Sequence, residues 1–328
     1  MKHRFSLLII HCTILTLASL LTACEKEIPI DIDDQQPQIV VMPCHESSAP
    51  IALSLTYSRP VYSSFYIRSD ESYFPPITNA TVTLSVNGTP VETATRDSNC
   101  YAFSHIPLAG EELAINISVP GHGAVTAELT VPQAPVLSAI DTNCNNSSFN
   151  FSFTLTDPAA TADYYSIQLR CIDTSIFISL DDNDSIISSD TSFYDTYTYF
   201  SCTDYLLVDN TNINIDLTDP TASNTFNGFE MLFTDATING QSHRITLSEY
   251  GIPRFEKDSY DIWEHRRLII EVTSLTRDEY LYRQSMQAYE DDDILSFFSE
   301  PVQIHSNING GIGIFSVSPK TTIQIYLP

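Results

Sequence analysis

The residues whose types and spacing point most sharply to chemistry are Leu21-Thr22-Ala23-Cys24. A thiol behind small residues, at the end of an export signal, fits a lipobox. Diacylglycerol is transferred to the Cys24 sulfur, the chain is cut before it, and the freed amine is acylated in turn. Ahead of it, Met1-Lys2-His3-Arg4 is basic and residues 5–20 are mostly apolar, the layout of a signal peptide over residues 1–23. A membrane-spanning helix needs roughly 20 apolar residues, and His11, Thr13 and Thr16 interrupt this stretch. Cys12 follows His11 and lacks the small-residue approach. Acyl chains hold firmly, since each buried methylene adds about 0.8 kcal/mol.

Other reactive patterns are weaker. GxSxG, HExxH and the phosphate-cradling GxxxxGK[ST] loop do not occur, so no catalytic residue is assigned and no enzyme activity is expected. The glycines of residues 310–313 lack a following Lys and lead into Ile314-Phe315, which predicts a tight turn into a final strand. Gly121-His122-Gly123 reads as a turn. Asp181-Asp182-Asn183-Asp184-Ser185 has oxygen donors in a row, but lacks the glycine and distant glutamate of a calcium loop. It and Asp291-Asp292-Asp293 read as solvated acids, and no metal or cofactor is assigned. Five cysteines follow Cys24, without CxxC spacing. Cys171 with Cys202 is the preferred disulfide, because the two bracket one polar excursion; Cys44 with Cys100 is the second pairing.

Aromatic residues supply contact chemistry instead. Tyr57, Tyr62, Phe65, Tyr66, Tyr73 and Phe74 crowd a stretch punctuated by Pro60, Pro75 and Pro76. Tyrosine buries much area at small entropic cost, so Tyr62, Phe65, Tyr66, Tyr73 and Phe74 are expected to touch a partner or ligand. A second set, Phe193, Tyr194, Tyr197, Tyr199, Phe200 and Tyr205, divides between surface and core.

The elements that must position these groups are strands. The chain of 328 residues is 43% hydrophobic and 11% aromatic, enough for a real core. Removing Lys2 and Arg4 from 15 basic residues leaves 13 against 41 acids, a mature charge of about −28. Such a surface has no basic patch to neutralise phosphates, which excludes nucleic acid. Residues 24–38 are polar, acidic and proline-broken, a lipidated tether. Period-two alternation follows in Val82, Leu84 and Val86, which run into Asn87-Gly88, a hairpin turn signal. It recurs in Ile115, Ile117 and Val119, and in Val125, Ala127, Leu129 and Val131. After Pro132 and Pro135 it returns in Phe149, Phe151, Phe153 and Leu155, then in Tyr165, Ile167 and Leu169. The later runs are Ile213 to Leu217, Leu268 to Val272, and Ile323, Ile325 and Leu327. This predicts an all-β protein of two consecutive β-sandwich-like domains. The first, immunoglobulin- or transthyretin-like, covers 39–132, and a β-rich second covers 136–328. One short helix is expected near the C-terminus: Thr276 caps it, Glu279 completes a capping box, and Tyr282, Met286 and Tyr289 share a face. Three acids at 291–293 oppose the helix dipole and stop it near Glu290.

The order of several short segments adds a resemblance. Leu232-Phe233-Thr234-Asp235, Asn239-Gly240-Gln241 and Ile245-Thr246-Leu247 are followed by the tyrosine-bearing helix of residues 276–289. Ser299-Glu300-Pro301-Val302, Ser306-Asn307-Ile308 and Gly310-Gly311-Ile312-Gly313-Ile314-Phe315 close the series. With Ile39-Val40-Val41 and Ala80-Thr81-Val82, the chain resembles the Bacteroidota lipoproteins grouped as a domain of unknown function (family 4249). That resemblance implies an outer-membrane lipoprotein, often encoded beside a TonB-dependent receptor, with no agreed activity. Glu25-Lys26-Glu27 is similar to the acidic signals that send lipoproteins of that phylum to the cell surface. The expected function is therefore a surface-anchored, non-enzymatic accessory to a TonB-dependent transporter in ligand or nutrient capture. Its partners would be membrane lipid at Cys24 and that receptor. A surface adhesion or structural module is the alternative, and a glycan or peptide hydrolase is a third reading.

Overall fold

Because successive strand side chains point to opposite faces, Ile39 with Val41, and Ile51 with Leu53 and Leu55, turn toward one core. A computed structural model describes residues 37–45, 47–59, 74–144, 149–159, 161–180, 186–204, 207, 225–249, 261–290 and 302–326. All belong to the unit Pro37–Pro328. The fold is all-β, with a single short helix near the C-terminus among the described residues.

Eight strands come first: β1 (Ile39–Pro43), β2 (Ile51–Tyr57), β3 (Thr81–Val86), β4 (Thr89–Thr93), β5 (Thr95–Asp97), β6 (Cys100–Phe103), β7 (Glu112–Ser118) and β8 (Val125–Thr130). Strands β1, β2, β6 and β5 form one sheet; β4, β3, β7 and β8 form a second. Their inner faces share one apolar cluster, so the two sheets make a sandwich. The Asn87-Gly88 signal holds. Both residues have positive φ, 50° and 77°, as a two-residue hairpin turn needs.

The second group is β9 (Val136–Cys144), β10 (Phe149–Thr156), β11 (Tyr164–Leu180), β12 (Ile186–Thr198), β13 (Phe200–Cys202), β14 (Phe226–Gly228), β15 (Glu230–Thr234), β16 (Ser242–Glu249) and β17 (Asp261–Leu275). After it come helix α1 (Arg277–Glu290), β18 (Ile312–Gly313) and β19 (Lys320–Tyr326). One sheet runs β14-β13-β16-β10-β9. The other runs β12-β11-β17-β19, with β15 also paired to β11. They enclose a separate apolar cluster from Phe151 to Ile323. The predicted run from Ile213 to Leu217 lies outside the described residues.

Helix α1 starts as its sequence predicts. The Glu279 amide donates to Thr276 Oγ1 at 3.2 Å. The reciprocal half of the capping box is replaced, since the Glu279 carboxylate is spent on Arg283 and Ser318. The buried face also differs from the expected one. Tyr280 enters a small cluster with Leu232 and Leu275, whereas Tyr289 stays 62% exposed. The stripe is rotated because Tyr164, ring to ring with Tyr280 at 5.1 Å, receives the helix on β11.

The glycines of residues 310–313 do more than turn the chain. Strand β18 lies parallel to β1, Val41 opposite Gly313, and the Ile314 amide donates to the Val41 carbonyl at 2.8 Å. Asn309 bridges to Thr126 of β8. This returning segment therefore caps β1 in one sheet and meets β8 in the other. Ile308 and Phe315 drop into the first core between them.

Candidate functional site

Three carboxylates converge because strand register forces them to. Thr156 ends β10 opposite Ser242 of β16, and Tyr164 opens β11 opposite Thr234 of β15. The two connections, 157–163 and 235–241, thus emerge at one end of the second sandwich. One oxygen each of Asp157, Asp163 and Asp235 lies within 4.8 Å of the others. Tyr165 Oη donates to Asp157 Oδ1 at 2.7 Å, and the Gly240 amide donates to Oδ2 at 2.8 Å. Asn239 Nδ2 donates to Asp235 Oδ2 and to the Thr161 carbonyl, both at 2.7 Å. Thr161 Oγ1 donates to Asp163 Oδ2 at 2.6 Å. Gly240 holds φ at 70°, and a Cβ there would come 3.0 Å from that of Ala159.

Burial pushes the Asp157 carboxyl above its ordinary value, and its two acidic neighbours push the same way. The bonds from Tyr165 and Gly240 oppose this shift. Oxygen donors in such a group suit a hard divalent cation. Yet both Asp157 oxygens already accept bonds that tie one turn to the other. Tyr165→Phe is expected to cost about 1–3 kcal/mol by leaving a buried carboxylate short of a donor. A urea midpoint unchanged in this variant would show that the bond is not what holds the turns together.

A second cluster centres on Arg283 of α1. Its Nη2 donates to Glu279 and its Nη1 to Glu230, each at 2.5 Å. Burial alone would lower the guanidinium pKa, but the two carboxylates outweigh it and the net direction is up. Ser318 Oγ donates to the other Glu279 oxygen. Arg283, Glu279 and Ser318 floor a cleft of ≈ 380 Å³, walled by Pro43, His45, Pro50, Pro107 and Val131 from the first half. A polar hollow of ≈ 420 Å³ lies against β3, β7 and β8, lined by Ser85, Asn116, Thr126, Glu128, Asn307 and Asn309.

Loop 104–111 presents Ile106 and Leu108 to solvent. Glu92 accepts from the Ser104 and His105 amides, and Glu111 from the Leu108 amide and His105 Nε2. The backbone bond from Ser104 lowers the Glu92 carboxyl, and that from Leu108 lowers Glu111.

Of the residues singled out in the sequence, Cys24, Tyr62, Phe65, Tyr66 and Tyr73 lie outside the described residues, as do 181–185 and 291–293. Phe74 is exposed, and the Tyr57 ring lies 5.1 Å from that of His122, which occupies a turn as expected. In the second aromatic set Phe193, Tyr194, Tyr197 and Tyr199 are exposed and Phe200 is buried; Tyr205 lies outside the described residues. The preferred disulfide is overturned. Cys44 is bonded to Cys100, while Cys171 and Cys202 are buried thiols of the second core. The described residues between the two cysteines need no bridge; β11 and β12 pair directly along a ladder from Leu169 to Leu180. Burial raises the Cys202 thiol to about 11.

The carboxylate group and the Arg283 cluster escaped the sequence reading because each joins residues from separate segments. One signal was available. Thr234-Asp235 and Asn239-Gly240-Gln241, which carried the resemblance, form one wall of the carboxylate site. The chain matches, over residues 25–324, the profile of a family described as a domain of unknown function (DUF4249). No curated protein matches it.

Proposed function

Because the chain belongs to this family of unknown function, whose description assigns no activity, we propose that it is an exported lipoprotein held by Cys24 in the outer membrane of a Bacteroidota cell. It faces the surface and acts without catalysis, as an accessory to a TonB-dependent transporter. Tethering keeps the β body, and whatever ligand it carries, near the transporter mouth, raising effective concentration without new contacts. The observation that carries the reading is Leu21-Thr22-Ala23-Cys24 followed by a polar stretch up to β1. The bond between Cys44 and Cys100 supports export, since structural disulfides persist in oxidising compartments.

Labelled palmitate should enter the wild-type protein and not Cys24→Ser, and that variant should leave the membrane fraction. Crosslinking on intact cells should then recover a large outer-membrane β-barrel with the wild type. Equal membrane retention of Cys24→Ser sinks the anchor; an anchored protein recovered without a barrel sinks the transporter role.

A further inference from the structure

Edge strands invite other strands, and proteins blunt them with short length, proline, lysine, bulges or cover. Among the described residues, nearly every edge here is blunted in one of these ways. Strands β5, β14 and β18 are two or three residues long. Strand β4 contains Pro90 and a register shift in its ladder, β8 is met by Asn309, and β9 has a shift in its ladder with positive φ at Ala139. Strand β19 carries Lys320.

Strand β12 has none of these between Ser188 and Thr198. It runs 13 residues without proline, lysine or arginine, and its ladder with β11 shifts only near the hairpin end, between Ser179 and Leu180. Among the described residues no strand pairs with its other side. Residues 188–197 are exposed on both faces, with Phe193 77% and Tyr197 48% accessible. Phe193, Asp195 and Tyr197 fall on one face by strand alternation, giving an aromatic–acid–aromatic row. Arg170 of β11 approaches Asp195 from the inner side at 3.4 Å.

We infer that the β12 edge binds an extended basic segment of a partner protein, which adds to the sheet as a further strand. Lysine or arginine at alternate positions of that segment would lie on the face of Phe193, Asp195 and Tyr197, at cross-strand spacing. Cations over aromatic rings and beside a carboxylate are favoured there. A second copy of this chain is disfavoured, because the charged residues of β12 are acids and the whole chain carries −26. The inference does not rest on the lipid anchor or on a transporter.

The test uses full-length protein in detergent and two fluorescent ten-residue peptides, one alternating lysine with valine, the other glutamate with valine. The lysine peptide should bind, slow amide exchange across β12, and lose about tenfold or more in affinity with Phe193→Ser plus Tyr197→Ser. Both sites are exposed, so the melting temperature should not move. Several results would overturn the inference: equal binding of both peptides, unchanged affinity in the double variant, or binding without slowed β12 amides. A dimer of the free protein that the same variant dissolves would assign the edge to self-association and overturn it equally.

Discussion

Phe315→Ala is expected to destabilise the protein by about 3–5 kcal/mol, although the residue is more than 180 positions beyond β8, the last of the eight strands that open the sandwich it enters. Its ring is 0% exposed in the first core. It is fixed there at the backbone: Asn307 Oδ1 accepts from the Phe315 amide at 2.9 Å, and Asn307 Nδ2 donates to the Phe315 carbonyl at 2.8 Å. Truncation removes the transfer energy of the ring and leaves a cavity that both sheets line. Gly313→Ala attacks the same segment from its backbone. φ is 112°, and the new Cβ would lie 2.0 Å from the Val41 oxygen, so β18 would have to leave β1. Urea unfolding followed by far-UV circular dichroism measures both. A Phe315→Ala loss below about 1 kcal/mol would mean the returning segment is only laid against the sandwich, not part of its core.

That segment also shows what sequence could and could not reveal. The strands were legible wherever one face is buried: Val82 with Leu84, Phe151 with Phe153, and Ile167 with Leu169 read as alternation because they sit in a core. Asn87-Gly88 and the Thr276 cap were legible because their chemistry is local. Alternation between residues 188 and 197 conveyed nothing, since neither face is buried there. The stretch therefore looked like a polar loop and prompted the mistaken bridge between Cys171 and Cys202. Ile308 and Phe315 carry no mark of the core they join, which belongs to strands from the other end of the chain. The three aspartates are each an ordinary turn residue, and only the register of β10 with β16 and of β11 with β15 makes them neighbours.

The correct disulfide has the other large consequence. Replacing Cys44 and Cys100 together by Ala, or reducing the bond, is expected to lower stability by about 4 kcal/mol. This follows from the loop entropy of a 56-residue closure. The bond ties the end of β1 to the start of β6, the two strands that flank β2. Chain freedom released in the unfolded state thus includes all of β2 to β5. Reductant should shift the urea midpoint of the wild type and leave the double variant unmoved. Peptide mapping after alkylation should find Cys44 and Cys100 protected without reductant, and Cys171 and Cys202 modified only once the second core is opened. Protection of Cys171 and Cys202 in the unfolded, unreduced chain would reinstate the bridge between them. A wild type made in a reducing compartment should lack the bond and be less stable by the same amount. The stability of the first sandwich is thereby coupled to the redox state of the compartment in which the chain folds.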